Sequence, residues 1–297
     1  MAGTIAYIMS RFPHLPETFI LREMNELERL GRPVALYPLI RQRQSVVHAD
    51  ARVWLARARY TPHLSPGVVS ANARMAAGRP GAYLRAWGRA LHENAAHPGF
   101  LARTLLLLPQ ATAMARQMAA EGIAHIHAHY ATHPALAAWL IHRLTGISYS
   151  ITVHAHDIYV RTEMLAPKVR EAAFVVAISE YNRRLVARLV GNDALAKTHV
   201  IHCGVAPEDY AVAPGIEAMP AAGRFELMSI GSLQPYKGHR YLVEAGAILR
   251  DRGVPVHCRI IGEGAERADL EARIRQARLD GVVELLGTRP QEEVARL

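Results

Sequence analysis

Three short segments set residues capable of binding an anion at the ends of strand-like runs. In Ser229-Ile-Gly-Ser-Leu-Gln-Pro-Tyr-Lys-Gly-His, Gly231 and Ser232 close an apolar run, and Lys237 stands at the entrance to a helix. Arg259-Ile-Ile-Gly-Glu-Gly repeats the arrangement, with Gly262 and Gly264 flanking Glu263, and a third run closes at Leu286 and Gly287. Glycine lets the backbone approach a ligand closely, a helix N-terminus offers unpaired N–H groups, and a lysine adds a full positive charge. Such a turn suits a diphosphate. Each turn taken alone is equally an ordinary strand-to-helix connection with a solvated lysine.

A second group is rich in histidine. His125, His127 and His129 alternate along one run, and His154-Ala-His156-Asp157 looks like the start of a metal-hydrolase signature. A dinuclear hydrolase of the H-x-H-x-D-H type needs histidine after Asp157, where the chain has Ile158. Metal-dependent hydrolysis is therefore the lesser alternative, and for His125 and His127 a hydrogen-bonded histidine beside a strand end is the plainer reading. Glu17, Asp157 and Glu180 stand at expected helix starts, where a carboxylate complements the dipole. That structural role and a ligand-binding one stay open for each.

The elements that must hold these residues alternate in type. The spacing predicts a strand at Ile5 to Met9, a helix from Pro16 to Leu30 with an apolar stripe of Phe19, Ile20, Met24, Leu27 and Leu30, and a strand at Val34 to Leu39. Residues 41–117 form an Ala- and Arg-rich helical region interrupted by prolines and glycines. Strand His125 to His129, helix Pro134 to Leu144, strands Tyr149 to His154 and Phe174 to Ile178, helix Glu180 to Val190 and strand His199 to His202 follow. Residues 206–223 lack periodicity and are expected to link domain 1–205 to domain 224–297. The second domain reads as strand Phe225 to Ile230, helix Gly238 to Arg252, strand Val256 to Ile261, helix Glu266 to Arg278 and strand Val282 to Leu286. Alternation of this kind implies α/β domains with parallel sheets and ligands beyond the carboxyl ends of the strands. Three strands are few for a doubly wound domain, so the second domain is expected to be truncated.

Taken in order, these segments resemble glycosyltransferase family 4. The family's C-terminal domain carries a glycine-arginine turn followed by a lysine-glycine pair, then a glycine-acid-glycine turn, then a phenylalanine-x-glycine turn. Phe12-Pro-His-Leu-Pro-Glu-Thr-Phe-Ile is similar to the F-P-x-x-S-E-T-F-I segment of its exopolysaccharide and colanic-acid branch, with Pro16 in place of serine. Further matches are His127-Ala-His-Tyr, Thr152-Val-His-Ala-His-Asp-Ile-Tyr, Ala177-Ile-Ser-Glu-Tyr-Asn and Val200-Ile-His-Cys-Gly-Val. The resemblance implies a GT-B architecture, two Rossmann-like domains facing a cleft. It implies retaining transfer from a nucleotide diphosphate sugar to a saccharide or lipid-linked acceptor, with no cofactor and no essential metal. Lys237 and His154 would be the catalytic residues, the latter on the transferred sugar. Gly231, Ser232, Lys237, Gly262, Glu263, Gly264, Leu286 and Gly287 would form the donor site, and Glu17, Thr18, Asp157, Ser179 and Glu180 the acceptor side. Ser232 departs from the family's arginine, and the family's acidic E-x7-E segment would lie beyond Leu297, so the chain is expected to be inactive by itself. A sugar-nucleotide-binding protein without turnover is the competing class.

Bulk properties narrow the partners. The formal charge of +9 over 297 residues suggests an anionic partner, yet no RNP-like or zinc-finger pattern accompanies it, so nucleic acid is not expected. Basic and aromatic residues between Arg41 and Arg103, including Trp54, Trp87 and Phe100, could touch anionic lipid or simply be solvated. No apolar run approaches the ~20 residues of a membrane span, and Met1 to Ile8 lacks a secretory pattern, so the expected location is the cytoplasm, at most beside the inner face of the membrane. Cys203 and Cys258 are too few and too far apart for a disulfide framework or a structural zinc site.

Overall fold

The computed structural model describes residues 3–14, 17–44, 47, 49–205, 223–294 and 297. Residues 206–222, which hold nearly all of the expected linker, and Pro16 lie outside them. The chain divides into two compact units: residues 1–44 and 49–205 form one, and residues 206–297 with 45–48 form the other.

In unit 1, β1 (Ile5–Phe12), α1 (Thr18–Arg29) and β2 (Val34–Arg41) are followed by four helices, α2 (Ala49–Arg57), α3 (Pro66–Gly78), α4 (Pro80–Asn94) and α5 (Pro98–Ala120). The series continues through β3 (His125–His129), α6 (His133–Thr145), β4 (Ser148–Val153), α7 (His156–Tyr159), α8 (Leu165–Glu171), β5 (Phe174–Ala177), α9 (Glu180–Val190) and β6 (Thr198–Val200). All six strands are parallel, in the order β2-β1-β3-β4-β5-β6. The order reverses between β1 and β3, and a doubly wound sheet opens its ligand crevice at such a switch point. The apolar stripe of α1 is narrower than its spacing predicts. Ile20, Leu21 and Met24 are buried, whereas Leu30 caps the helix beyond its last turn and is exposed. α6 is almost wholly buried, Ala135 to Ile141 included, which explains why it reads as continuously apolar.

Unit 2 contains β7 (Phe225–Ile230), α10 (His239–Asp251), β8 (Val256–Ile261), α11 (Arg267–Gln276), β9 (Val283–Gly287) and α12 (Gln291–Val294). Its three described strands are parallel in the order β7-β8-β9. Leu233, Val243, Cys258, Ile260, Leu270, Ile274, Leu279 and Val283 form the core. Leu227, Met228 and Ile230 of β7 are exposed.

Candidate functional site

At the switch point of unit 1, strand periodicity sends His125, His127 and His129 to one face of β3. His127 is buried and bonded through Nδ1 to Ser150 Oγ (2.7 Å) and through Nε2 to Thr152 Oγ1 (2.8 Å), both on β4. His129 Nδ1 lies 3.4 Å from His154 Nε2, and its own Nε2 is buried with no hydrogen-bond partner. Glu23 reaches over from α1, with Oε1 3.5 Å from His129 Nε2 and 3.7 Å from His127 Nε2. Tyr7 Oη donates to the same oxygen at 2.6 Å. Burial pushes the Glu23 carboxyl up, but His129, His127 and Tyr7 outweigh it and hold it down at about 2. Glu23, His127 and His129 thus offer three donor atoms within 4.8 Å of one another, which the sequence pattern at His154 to Asp157 does not disclose.

His154 follows β4 and is buried. Its ring packs between Tyr130 (4.4 Å between centroids) and Phe19 (5.0 Å). Burial, and then the charge of His129, lower its pKa to about 3, so the imidazole is neutral and suited to hydrogen bonding rather than to carrying charge. Asp157 does not face a ligand with both oxygens free. Its carboxylate accepts the N–H of Ala131 at 2.7 Å and that of His154 at 2.9 Å, joining the turns after β3 and β4. Lys168, fully buried on α8, holds the other side of the same turn by donating to the carbonyls of Ala131 and Glu163. Between these clamps Tyr130 takes φ +76°, a left-handed conformation rare for a residue with a side chain.

The remaining residues expected on the acceptor side are dispersed in role. Glu17 is buried, pairs with His14 at 3.1 Å and lines a cavity of about 660 Å³ together with Asp157 and Tyr130. Arg11, Arg103 and Arg161 line the same cavity beside Leu39 and Phe100. Thr18 begins α1 and is half-buried. Ser179 serves as the cap of α9, its Oγ accepting from the Asn182 N–H at 3.1 Å. Glu180 is exposed, 3.7 Å from Arg183.

In unit 2 the three glycine turns are stacked at the carboxyl ends of β7, β8 and β9. The Gly231 N–H donates to the Ile261 carbonyl and the Gly262 N–H to the Gly287 carbonyl, both at 2.9 Å. The neighbouring strand end thus occupies the Gly231 N–H. A Cβ at Gly262 would lie 1.9 Å from the Gly231 carbonyl oxygen, and one at Gly264 would lie 2.3 Å from that of Leu233. Those glycines are therefore required by backbone packing between turns. Glu263 ion-pairs with Arg267 at 2.5 Å, and a Cβ at Gly287 would meet its Oε1 at 3.1 Å, while Leu286 is half-buried.

Lys237 closes a 3₁₀ turn, Pro235–Lys237, one residue before α10, with Gly238 between them in the left-handed conformation. It is exposed and forms no ion pair among the described residues, although its Nζ lies 5.6 Å from the Tyr236 ring. His239, which no local pattern singles out, is buried with Nε2 unpartnered, and that nitrogen faces Gly231, 3.6 Å from where a Cβ would stand. An unpartnered imidazole nitrogen and the stem of Lys237, its Cδ 3.9 Å from the same Cβ position, thus flank Gly231. A cavity of about 550 Å³ lies elsewhere in unit 2, along β9 near Arg275 and Asp280, away from this turn.

Two units, each built on a parallel sheet with its candidate site at the carboxyl ends of the strands, define the GT-B class of α/β proteins. Solved structures share the fold. Anabaena HepE in complex with UDP-glucose aligns with a TM-score of 0.65 at 15% identity, over 97% of this chain and 70% of that one. Sucrose-phosphate synthase from Thermosynechococcus elongatus aligns at 0.65 and 16%, over 99% and 72%. Residues 67–209 match the family described as Glycosyltransferase Family 4, and residues 219–297 match Glycosyl transferases group 1. Both matched segments are glycosyltransferase domains, and together they span most of the chain. A curated relative, 2-deoxystreptamine glucosyltransferase of Streptomyces kanamyceticus, is 27% identical over 182 residues, which are 54% of this chain. The match spans 46% of that relative's length.

Proposed function

We propose that the protein transfers a sugar, with retention of configuration, from a nucleotide diphosphate sugar to a saccharide or lipid-linked acceptor during synthesis of an exopolysaccharide or other cell-envelope polysaccharide. The observation that carries this reading is the placement of the Lys237 stem and the unpartnered His239 Nε2 beside Gly231. Breaking the anomeric bond leaves negative charge on the departing diphosphate, and fixed cationic and N–H donors stabilise that charge. Lys237 supplies the charge, His239 a nearby ring nitrogen, and the packed glycine turns a rigid floor. His154, neutral and held between Tyr130 and Phe19, would hydrogen-bond the transferred sugar. No step calls for a metal.

On the acceptor side, Glu17 leads: it is buried, at the wall of the unit 1 cavity, and its Oε2 has no hydrogen-bond partner. The curated relative acts, by its name, on 2-deoxystreptamine. Arg11 and Arg103 line the same cavity as Glu17, so it offers both signs of charge to an acceptor. No helix among the described residues is long and apolar enough to cross a membrane. We place the reaction on the cytoplasmic side, where the acceptor would be met at or near the membrane surface.

Ser232, standing where the family has arginine, favours one rival, a sugar-nucleotide binder without turnover. Donor hydrolysis and transfer assays separate the two readings. Lys237→Ala is expected to slow transfer roughly ten- to a thousandfold with an unchanged melting curve. Equal turnover in the variant would remove Lys237 from the mechanism, and tight donor binding with no turnover under any acceptor would favour the rival.

A further inference from the structure

We infer that Glu23, His127 and His129 form a binding site for one divalent transition-metal ion of the zinc class, separate from the transfer chemistry. Two imidazoles and one carboxylate are a donor set such ions take, commonly leaving a fourth position open. Bonds of ~2.0–2.1 Å in a tetrahedron put ligand atoms about 3.3–3.4 Å apart. The separations from Glu23 Oε1 to His129 Nε2 and His127 Nε2, 3.5 and 3.7 Å, are close to that, and all three donors lie within 4.8 Å of one another. A shift of a few tenths of an ångström in α1 brings Glu23 to ligand separation from each imidazole, and rotation of the two rings on β3 completes the set.

The surroundings orient each donor as a metal ligand requires. His127 Nδ1 can donate to Ser150 Oγ, which leaves the Nε2 lone pair toward Glu23 once the Thr152 hydroxyl turns aside. Tyr7 Oη steadies the carboxylate by donating to it. His129 Nε2 is the telling atom: it is buried, it faces a carboxylate oxygen, and it has no hydrogen-bond partner. A bound cation satisfies both groups at once and fastens α1 to β3 at the switch point.

Zinc chloride titrated into the metal-stripped 297-residue chain, followed by calorimetry and by the visible bands of tetrahedral cobalt(II), tests this without any sugar nucleotide, so the outcome is independent of the transfer assay. Cys203 is exposed and is changed to serine throughout to remove a competing thiol. One ion per chain and a raised melting temperature are expected. Glu23→Gln, which keeps an acceptor for Tyr7, and His129→Gln should each lower affinity at least ~100-fold, beyond the effect of losing an outer-shell partner. Melting curves without metal identify any variant that fails to fold. Absence of one-to-one binding, or binding that survives in either folded variant, overturns the assignment.

Discussion

Lys168 shows how a single side chain sets the turn on which the unit 1 site rests. Its amine is fully buried and donates to the carbonyls of Ala131 and Glu163. Lys168→Met would leave two buried acceptors unpaired and is expected to cost about 2–4 kcal/mol in chemical denaturation. Burial lowers the Lys168 pKa to about 7, against the opposing charges of Asp157 and Glu163. An unfolded chain holds that proton up to the ordinary value of 10.5, so between about 7 and 10.5 it binds more protons than the folded one. The contribution of Lys168 to stability is then complete above 10.5 and is lost as pH falls through 7. The advantage of wild type over Lys168→Met should grow as pH rises across that window, and a constant difference would show the amine to be charged throughout.

At the scale of elements, the stacked glycine turns make the sharpest case. Gly262→Ala forces a methyl group into the Gly231 carbonyl at a φ of +152°, so β7 and β8 must separate. Loss of more than about 2 kcal/mol is expected in unit 2, with unit 1 unaffected, and hydrogen exchange of the β7 and β8 amides would report it. Elements with a strong period are legible in the amino-acid order alone. Strands β3, β7 and β8 and helix α9 are bounded as their patterns predict, α9 being bracketed by Ser179 at its start and Gly191 at its end. The helices α7 and α8 carry too few residues to show a period and stay hidden inside what reads as a loop. For the site, glycines, Lys237 and His154 stand out by motif, whereas Glu23, Tyr7 and Lys168 acquire their meaning only from what the fold places opposite them. The engagement of the Gly231 N–H by Ile261 is of the same kind, since no local pattern reveals a bond between two strand ends.

For the whole molecule, the two units carry unequal cores. Unit 1 buries Trp139, Tyr149, Ile126, Ile151 and most of α6 in one continuous cluster, while the unit 2 core rests on eight residues among those described. Heating should therefore give two transitions in calorimetry, unit 2 first. Leu227, Met228 and Ile230, exposed along β7, should bind a hydrophobic dye before either transition. A single cooperative transition without dye binding would mean that this strand is covered in solution.

Tyr130 has a consequence of a different order. An L-residue in the left-handed region costs roughly 1–2 kcal/mol, yet here the position bears an aromatic ring packed at a tilt against His154. Glycine at 130 would relieve the backbone and strip the ring away. Selection for heat resistance alone and selection for the site thus pull this one codon in opposite directions, and the residue found there records which of the two has prevailed.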